Sequence, residues 1–163
     1  MTKNKTGLSF LWLSAVAFIL DLLTKYTVVQ RFDLYESVNL LPVFNLTYVR
    51  NYGAAFSFLA EHDGWQKYFF IVLAIGISLM LAYFMKKNSV EQKLQNSAYA
   101  LIIGGALANM VDRVYNGFVV DFLDFYWDIY HYPVFNVADI AICIGAGLLA
   151  LDAFKGDKKS DQK

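Results

Sequence analysis

Charged residues are scarce in this sequence: they make up 17% of its 163 residues, whereas hydrophobic residues make up 58%. A soluble domain carries about 25% charged residues. The mean hydropathy is +0.41, and the apolar residues occur in long blocks. The composition therefore argues against a soluble domain and predicts an α-helical integral membrane protein.

Other functional classes are disfavoured by what the chain lacks. Its formal net charge is zero, so nothing in the composition indicates a nucleic acid as a partner. Cys143 is the only cysteine, which excludes an intrachain disulfide and disfavours thiol or zinc chemistry. Because Cys143 lies within an apolar run, we interpret it as a small buried hydrophobic residue.

Four apolar blocks predict four transmembrane helices, at about residues 8–29, 66–86, 97–115 and 134–154. At 1.5 Å per residue, each block crosses or nearly crosses a hydrocarbon core of about 30 Å. The first block follows Lys3 and Lys5, as in a secretory signal. However, its apolar run resumes after Asp21 and no small-residue cleavage site closes it, so we predict a retained helix. We treat residues 1–163 as a single membrane domain.

The basic residues predict the orientation of these helices. Nine of the fourteen Lys and Arg residues fall on one side of the membrane if the chain crosses it four times. The positive-inside rule then places both termini and the tail at residues 155–163 in the cytoplasm, and the loops at about 31–65 and 116–133 outside. The nine residues are Lys3, Lys5, Lys86, Lys87, Lys93, Lys155, Lys158, Lys159 and Lys163.

The two outer segments differ in pattern. Val38 and Leu40 alternate with Ser37 and Asn39, and Phe44, Leu46 and Tyr48 alternate with Asn45, Thr47 and Val49, with a break at Leu41-Pro42. This alternation predicts two strands and hence a small extracytoplasmic β-sheet. Residues 116–133 are rich in aromatic side chains and are predicted to be a loop whose aromatic residues dip into the interface. Asp124 and Asp128 in this loop are expected to face water.

Two aspartates stand where apolar, membrane-length segments meet the aromatic segment. Asp121 follows Val119-Val120, and Asp139 lies near the start of the fourth block. Carboxylates at this depth are costly, which makes them candidates for a functional site. Two carboxylates within reach of each other tend to share a proton and so supply one acid and one base. Hydrolysis of an amide by activated water requires that combination, so we predict Asp121 and Asp139 as the catalytic pair.

Other polar residues fall at a similar depth. Counted along their helices at 1.5 Å per residue, Asp21 and Asp112 lie about 20 Å from the cytoplasmic end, near the level of Asp139. Asp21 and Lys25 are four positions apart and share a helix face. Asp112 is adjacent to Arg113. We interpret these four residues as structural ion pairs that neutralise one another.

Three alternatives remain at this point. Asp124, Asp128 and His131, together with Asp139, suit an oxygen-rich metal site, although the sequence has no HExxH or comparable signature and we predict no metal. A small ion-coupled transporter would use Asp21, Asp112 and Asp139 as cation sites, but the long patterned outer segment does not fit a minimal transporter. An assembly subunit without chemistry would leave the converging acids unexplained.

Five short motifs occur in order from the first helix to the fourth. They are Asp21-x-x-Thr24-Lys25, Arg50-Asn51-x-Gly53-Ala54-Ala55-Phe56-Ser57, Gly105-Ala106-Leu107-x-Asn109-x-x-Asp112-Arg113, Val119-Val120-Asp121-Phe122 and Phe135-Asn136-x-Ala138-Asp139. Together they resemble bacterial lipoprotein signal peptidase, or signal peptidase II, over nearly the whole chain. Each motif alone is weak, whereas five in this order are specific.

This resemblance implies a four-helix aspartyl protease of the bacterial cell membrane that needs no cofactor. It implies cleavage of prolipoproteins just before a diacylglyceryl-modified cysteine, with membrane lipid as the other partner and a monomeric enzyme. Asp121 and Asp139 match the family's catalytic pair, and Asp21 and Lys25 match a structural pair. Ala108 stands where the family usually has glycine, which leaves the packing of the third helix in question. The residues that match the family's substrate site are Asn51, Gly53, Asn109, Asp112, Arg113 and Asn136.

Overall fold

The computed structural model describes residues 6–53 and 64–160, with side chains of the last helix described as far as Phe154. Four long helices carry a small sheet at one end. In chain order the elements are a short 3₁₀ helix (Gly7–Phe10), α1 (Leu11–Arg31), β1 (Ser37–Leu41), β2 (Phe44–Asn51), α2 (Trp65–Lys87), α3 (Lys93–Asn116), β3 (Val119–Trp127), β4 (Tyr130–His131) and α4 (Val137–Ser160).

Three of these helices are long and apolar enough to cross a membrane: Gly7–Arg31, Trp65–Lys87 and Val137–Phe154, of 25, 23 and 18 residues. The third helix, α3, is as long, at 24 residues, but it carries buried polar side chains such as Asn96, Asn109 and Asp112. These side chains are tolerated because α3 lies between α1, α2 and α4 and packs against all three. Within the described residues, the prediction of transmembrane helices is therefore confirmed for three spans, and the fourth remains a proposal.

The starts of two helices differ from the predicted ones for local reasons. The start of α3 moves back to Lys93, because the polar side chain of Asn96 is held there by a hydrogen bond from its Nδ2 to the carbonyl of Ser89 (2.8 Å). The start of α4 moves forward to Val137, because Asn136 caps that helix. At its other end α4 continues to Ser160, so the boundary between helix and tail lies later than the predicted residue 155.

The sheet has the order β1-β2-β3-β4 with antiparallel neighbours. The two strands predicted at 37–40 and 44–49 are confirmed as β1 and β2. The prediction of a loop at 116–133 is wrong, because β3 and β4 form a hairpin there. Val119, Val120 and Phe122 are buried in β3, and this burial stabilises a strand where the aromatic residues had suggested an interfacial loop.

The pairing of β2 with β3 places the end of one strand beside the start of the other. Asn51 pairs with Val119, and Val49 pairs with Asp121. An apolar cluster of Val28, Tyr48, Val120 and Phe122 fastens this part of the sheet to the end of α1. The sheet therefore holds Asn51 and Asp121 close together above the helices.

Glycines in α3 bring it close to two neighbouring helices. A Cβ at Gly104 would lie 2.6 Å from the main-chain oxygen of Ser14, and one at Gly105 would collide with the main-chain oxygen of Ala138. Ala108, one turn further on, is fully buried at 0% exposure. The close helix approaches are thus made at Gly104 and Gly105, and α3 accommodates the alanine at position 108.

The distribution of side chains is the reverse of that in a soluble protein. Large apolar residues on the helices are exposed, including Trp12 (60%), Val72 (69%) and Leu79 (67%). In contrast, Asp21, Lys25 and many other polar side chains are buried. An apolar exterior around a polar interior fits a protein whose helices are surrounded by lipid.

Candidate active site

Asp139 is held by the first turn of α4. The side-chain oxygen of Asn136 accepts a hydrogen bond from the Asp139 main-chain N–H (2.9 Å), and the Asn136 N–H donates to Oδ2 of Asp139 (3.3 Å). These reciprocal bonds form a capping box at the start of the helix. The local sequence from Asn136 to Asp139 therefore both starts α4 and fixes its carboxylate.

Two asparagine side chains connect Asp139 to Asp121. Asn136 Nδ2 donates to Oδ1 of Asp121 (2.6 Å) and lies 3.2 Å from Oδ1 of Asn109. Asn109 Nδ2 donates to Oδ1 of Asp139 (2.9 Å). The structure thus brings the two predicted catalytic residues, from β3 and α4, into one hydrogen-bonded network that α3 completes.

Asn51 at the end of β2 also bonds to Asp121. Its Nδ2 donates to Oδ2 of Asp121 (2.9 Å), while its Oδ1 accepts the main-chain N–H of Gly53 (2.9 Å). Residues 54–57, which belong to the same sequence motif, lie outside the described residues. Both carboxylate oxygens of Asp121 therefore accept an amide N–H.

Burial raises the pKa of Asp121 to about 7, and the negative charge of Asp139 acts in the same direction. The hydrogen bonds from Asn51 and Asn136 oppose this rise. With only 2% of the residue exposed, the ionised form of Asp121 loses most of its hydration. Asp121 is therefore poised to hold or release a proton near neutral pH.

Lys25 is the centre of a buried ion cluster beside this pair. Its Nζ lies 2.6 Å from Oδ2 of Asp21, 3.0 Å from Oδ2 of Asp112 and 2.7 Å from Oδ1 of Asn109. The predicted pair of Asp21 and Lys25 is confirmed. Asp112 also forms an ion pair, but with Lys25 and not with Arg113, because adjacent residues on a helix point in different directions.

The two carboxylates of this cluster hold the main chain next to the predicted catalytic pair. Asp21 Oδ1 accepts the N–H of Ala138 (2.7 Å), and Asp112 Oδ2 accepts the N–H of Val120 (3.1 Å). Ala138 immediately precedes Asp139, and Val120 immediately precedes Asp121. Sequence reasoning missed both contacts, since main-chain partners leave no signal in a sequence motif.

Arg113 is buried and contacts the segment that follows β2, its own helix α3 and the helix α2. Its Nη2 donates to the carbonyl oxygen of Gly53 (2.8 Å) and its Nη1 to that of Asn109 (3.2 Å). The guanidinium group lies 4.8 Å from the centre of the Phe70 ring. Within the part of the chain that the structure describes, Arg113 forms no ion pair, so its charge is directed at carbonyl groups and an aromatic face.

A cavity of about 500 Å³ opens beside Asp121 and Asp139. Its polar end is formed by Asn51, Asn109, Arg113, Asp121 and Asp139, and the rest of its wall is apolar. Cys143 lines this cavity and is exposed, so its interpretation as a buried residue is wrong. Its position one turn after Asp139 on α4 is a signal that could have placed it there. The apolar wall is lined by Val119, Tyr132, Pro133, Val134, Phe135, Ile140, Ile142, Cys143 and Ile144.

The two aspartates of the β3–β4 hairpin, Asp124 and Asp128, differ in burial. Asp124, expected to face water, is only 2% exposed, so that prediction is wrong. It accepts hydrogen bonds from Thr47 Oγ1 (2.9 Å) and Asn45 Nδ2 (3.3 Å), and its Oδ1 lies 2.7 Å from Nδ1 of His131. Burial raises the pKa of Asp124, but the bonds from His131, Thr47 and Asn45 together bring it below its usual value. Asp128 is exposed.

The metal alternative finds no support in these positions. Asp124 is engaged by His131 and the neighbouring strand, whereas Asp139 lies in the cavity on α4. Among the residues that the structure describes, no three His, Cys, Asp or Glu side chains are grouped so that they could hold a metal ion.

Comparisons with known proteins agree with one another. The family model described as signal peptidase (SPase) II matches residues 13–155. The chain is 84% identical to the lipoprotein signal peptidase of Haemophilus influenzae (strain PittGG) over 98% of this chain and 94% of that protein. It is 77% identical to the lipoprotein signal peptidase of Pasteurella multocida (strain Pm70) over 100% of this chain and 99% of that protein. A solved structure of a bacterial membrane enzyme superposes with a TM-score of 0.83, at 33% identity, over 95% of this chain and 92% of that chain.

Proposed function

The chain belongs to the signal peptidase II family, and we propose that it is an aspartic endopeptidase that removes signal peptides from prolipoproteins. Cleavage would fall just before the diacylglyceryl-modified cysteine. The observation that carries this proposal is the network joining Asp121 to Asp139 through Asn109 and Asn136 at the polar end of an apolar cavity. The family membership gives no support to an ion-coupled transporter.

The surroundings of the two aspartates support different roles for them. Asp139 lies at the N-terminal end of α4, where the helix dipole favours a negative charge, and it is only half-buried. Asp121 is almost fully buried, and its pKa is raised to about 7. We assign Asp139 as the ionised base and Asp121 as the protonated acid, within a pair that shares one proton.

These roles give a balanced reaction. Asp139 takes a proton from water as the water oxygen bonds to the scissile carbonyl carbon, and Asp121 donates its proton to the carbonyl oxygen. The resulting tetrahedral diol is neutral. When it collapses, Asp139 gives its proton to the departing amine of the cysteine, and Asp121 recovers a proton from the diol. The pair returns to its starting state without a metal or a cofactor.

The cavity suits a substrate that is part lipid and part peptide. Its wall carries Ile140, Ile142 and Ile144, which offer apolar contacts to acyl chains or to a signal peptide. Its polar end offers the side-chain amides of Asn51 and Asn109 to the peptide main chain. We propose that Asn51 and Asn109 contact the substrate directly. Arg113 borders the cavity, but its Nη2 and Nη1 are engaged by carbonyl oxygens, so we propose that it supports the site together with Gly53, Asp112 and Asn136.

The positions of the sheet and of the basic residues support an orientation in the membrane. Lys86, Lys87 and Lys93 lie around the turn between α2 and α3, and the carbonyl of Asn88 in this turn accepts the N–H of Gly7 (3.0 Å). The sheet and the catalytic pair lie at the opposite ends of the helices. We propose a monomer with four crossing helices, cytoplasmic termini and a site near the outer face. Lys3, Lys5 and Lys163 lie outside the described residues.

The test is cleavage of a diacylglyceryl-modified prolipoprotein by the purified protein in detergent, followed on a gel. Asp121→Asn and Asp139→Asn should each lower turnover by at least about 100-fold, since general acid–base catalysis contributes that much or more. Asp128→Asn, at an exposed position, is the matched control and should cleave normally. A chelator should leave cleavage unchanged. Near-normal turnover by either active-site variant would remove that residue from the pair.

A further inference from the structure

We propose that Arg113 is a positioning residue that fixes Asp121 through Gly53 and Asn51, a role that rests on the proposed peptidase function. Three hydrogen bonds form the connection. Arg113 Nη2 donates to the carbonyl oxygen of Gly53 (2.8 Å), and the Gly53 N–H donates to Oδ1 of Asn51 (2.9 Å). Asn51 Nδ2 then donates to Oδ2 of Asp121 (2.9 Å). Arg113 therefore reaches the catalytic carboxyl without touching it.

This connection fixes which end of the Asn51 amide faces Asp121. A side-chain amide has an acceptor oxygen at one end and a donor nitrogen at the other. Because the Gly53 N–H occupies the oxygen, the nitrogen must point to Asp121. The peptide of Gly53 keeps this position only while its carbonyl is held, and Arg113 holds it.

The contacts of Arg113 explain why a guanidinium group is needed. It spans the carbonyl oxygens of Gly53 and Asn109 and lies 4.8 Å from the centre of the Phe70 ring. A planar group with several fixed donors can make these contacts together, whereas the compact ammonium of lysine cannot. Arg113→Lys therefore retains the positive charge but disrupts the hydrogen-bonded connection. The variant separates the effect of geometry from the effect of charge.

The pH dependence of cleavage reports the state of the connection. The hydrogen bond from Asn51 lowers the pKa of Asp121, against the rise caused by burial. Loosening that bond should raise the pKa, so the fall of kcat/KM at high pH should move to higher pH. The other charges that act on Asp121 are Asp139 on α4, Lys25 on α1 and Arg113 itself on α3, and Arg113→Lys changes none of their signs.

The experiment is a double-mutant cycle with the diacylglyceryl-modified prolipoprotein as substrate. Arg113→Lys and Asn51→Ala should each lower kcat by about 10–100-fold, as small misplacements near a reacting centre do. Both variants should move the high-pH fall of kcat/KM to higher pH. The kcat of the double variant should lie within about threefold of the kcat of the less active single variant, because both changes break one connected unit. Arg31→Lys, exposed at the end of α1, is the matched control and should behave as wild type.

Several outcomes would overturn the proposal. Losses that multiply in the double variant would show that Arg113 and Asn51 act independently. A raised KM with an unmoved pH profile in Arg113→Lys would instead show direct contact with substrate. If Arg113→Lys does not fold, Phe70→Leu is the second test, because it removes only the aromatic face that Arg113 contacts. In this variant the high-pH fall of kcat/KM should shift to higher pH by a smaller amount. An unmoved fall refutes the connection. Failure of the peptidase function itself is recognised separately, because wild type would then not cleave.

Discussion

Replacing Lys25 by methionine removes a cation that three buried side chains contact. The Nζ atom lies 2.6 Å from Asp21, 3.0 Å from Asp112 and 2.7 Å from Asn109. The side chains of Lys25, Asp21 and Asp112 are 3%, 0% and 7% exposed. Methionine keeps much of the hydrocarbon stem, so the substitution tests the charge and not the packing.

The expected loss of stability is large because the carboxylates cannot turn to water. Breaking a buried ion pair from one side destabilises a protein by about 3–5 kcal/mol. For a chain of this length, 1 kcal/mol corresponds to roughly 2–4 °C, so the melting temperature in detergent should fall by about 6–20 °C. Lys86→Met, at an exposed position of α2, is the matched control and should melt as wild type does.

The cluster also predicts how the loss is recovered. Asp21→Asn in the Lys25→Met background removes one stranded charge, but it leaves Asp112 without its cation. The double variant should therefore regain only part of the lost stability, and Asp112→Asn added to it should regain more. A Lys25→Met variant that melts with wild type, or a double variant as unstable as the sum of the singles, would refute the cluster as described.

Three further predictions follow from the site. The kcat/KM for cleavage should fall as pH rises through about 7, because the acid Asp121 loses its proton there, and a constant value up to pH 9 would contradict the assigned roles. Asp124→Asn should destabilise the protein by about 1–3 kcal/mol through loss of charged hydrogen bonds, whereas Asp128→Asn should leave the melting temperature unchanged. Gly105→Ala should lower both melting temperature and cleavage, because its Cβ overlaps the main chain at the start of α4, while Gly147→Ala, with open space around it, should do neither.

The sequence predicted those parts of the fold that depend on one segment at a time. The apolar blocks predicted the helices, and strict alternation predicted β1 and β2. The pair of Asp21 and Lys25 was predictable because it depends only on helical spacing. The strand at β3 was not predictable in the same way. Its burial on α1 and its pairing with β2 outweigh the aromatic composition that suggested a loop.

Contacts between segments that are far apart along the chain could not be predicted from the sequence. Asp112 was assigned to a structural ion pair, yet its partner on α1 and its bond to the Val120 N–H depend on how the helices and the sheet pack. Likewise, Asp124 was expected to face water, because nothing in its own segment shows that Thr47 and Asn45 on β2 would cover it. Candidate site residues could be proposed from their type and depth, whereas their hydrogen-bond and ion-pair partners could not.

The balance of charge gives the carboxylates of the site different surroundings. Four carboxylates, Asp21, Asp112, Asp121 and Asp139, lie near two cations, Lys25 and Arg113. Lys25 contacts Asp21 and Asp112, and Arg113 donates to carbonyl oxygens. Among the residues that the structure describes, the side chains of Asp121 and Asp139 accept neutral N–H groups from Asn51, Asn109 and Asn136. Two neighbouring carboxylates without a contacting cation lower their free energy by keeping one proton between them. In the proposed reaction, the ion cluster orients the main chain with fixed charges, and Asp121 and Asp139 move the proton.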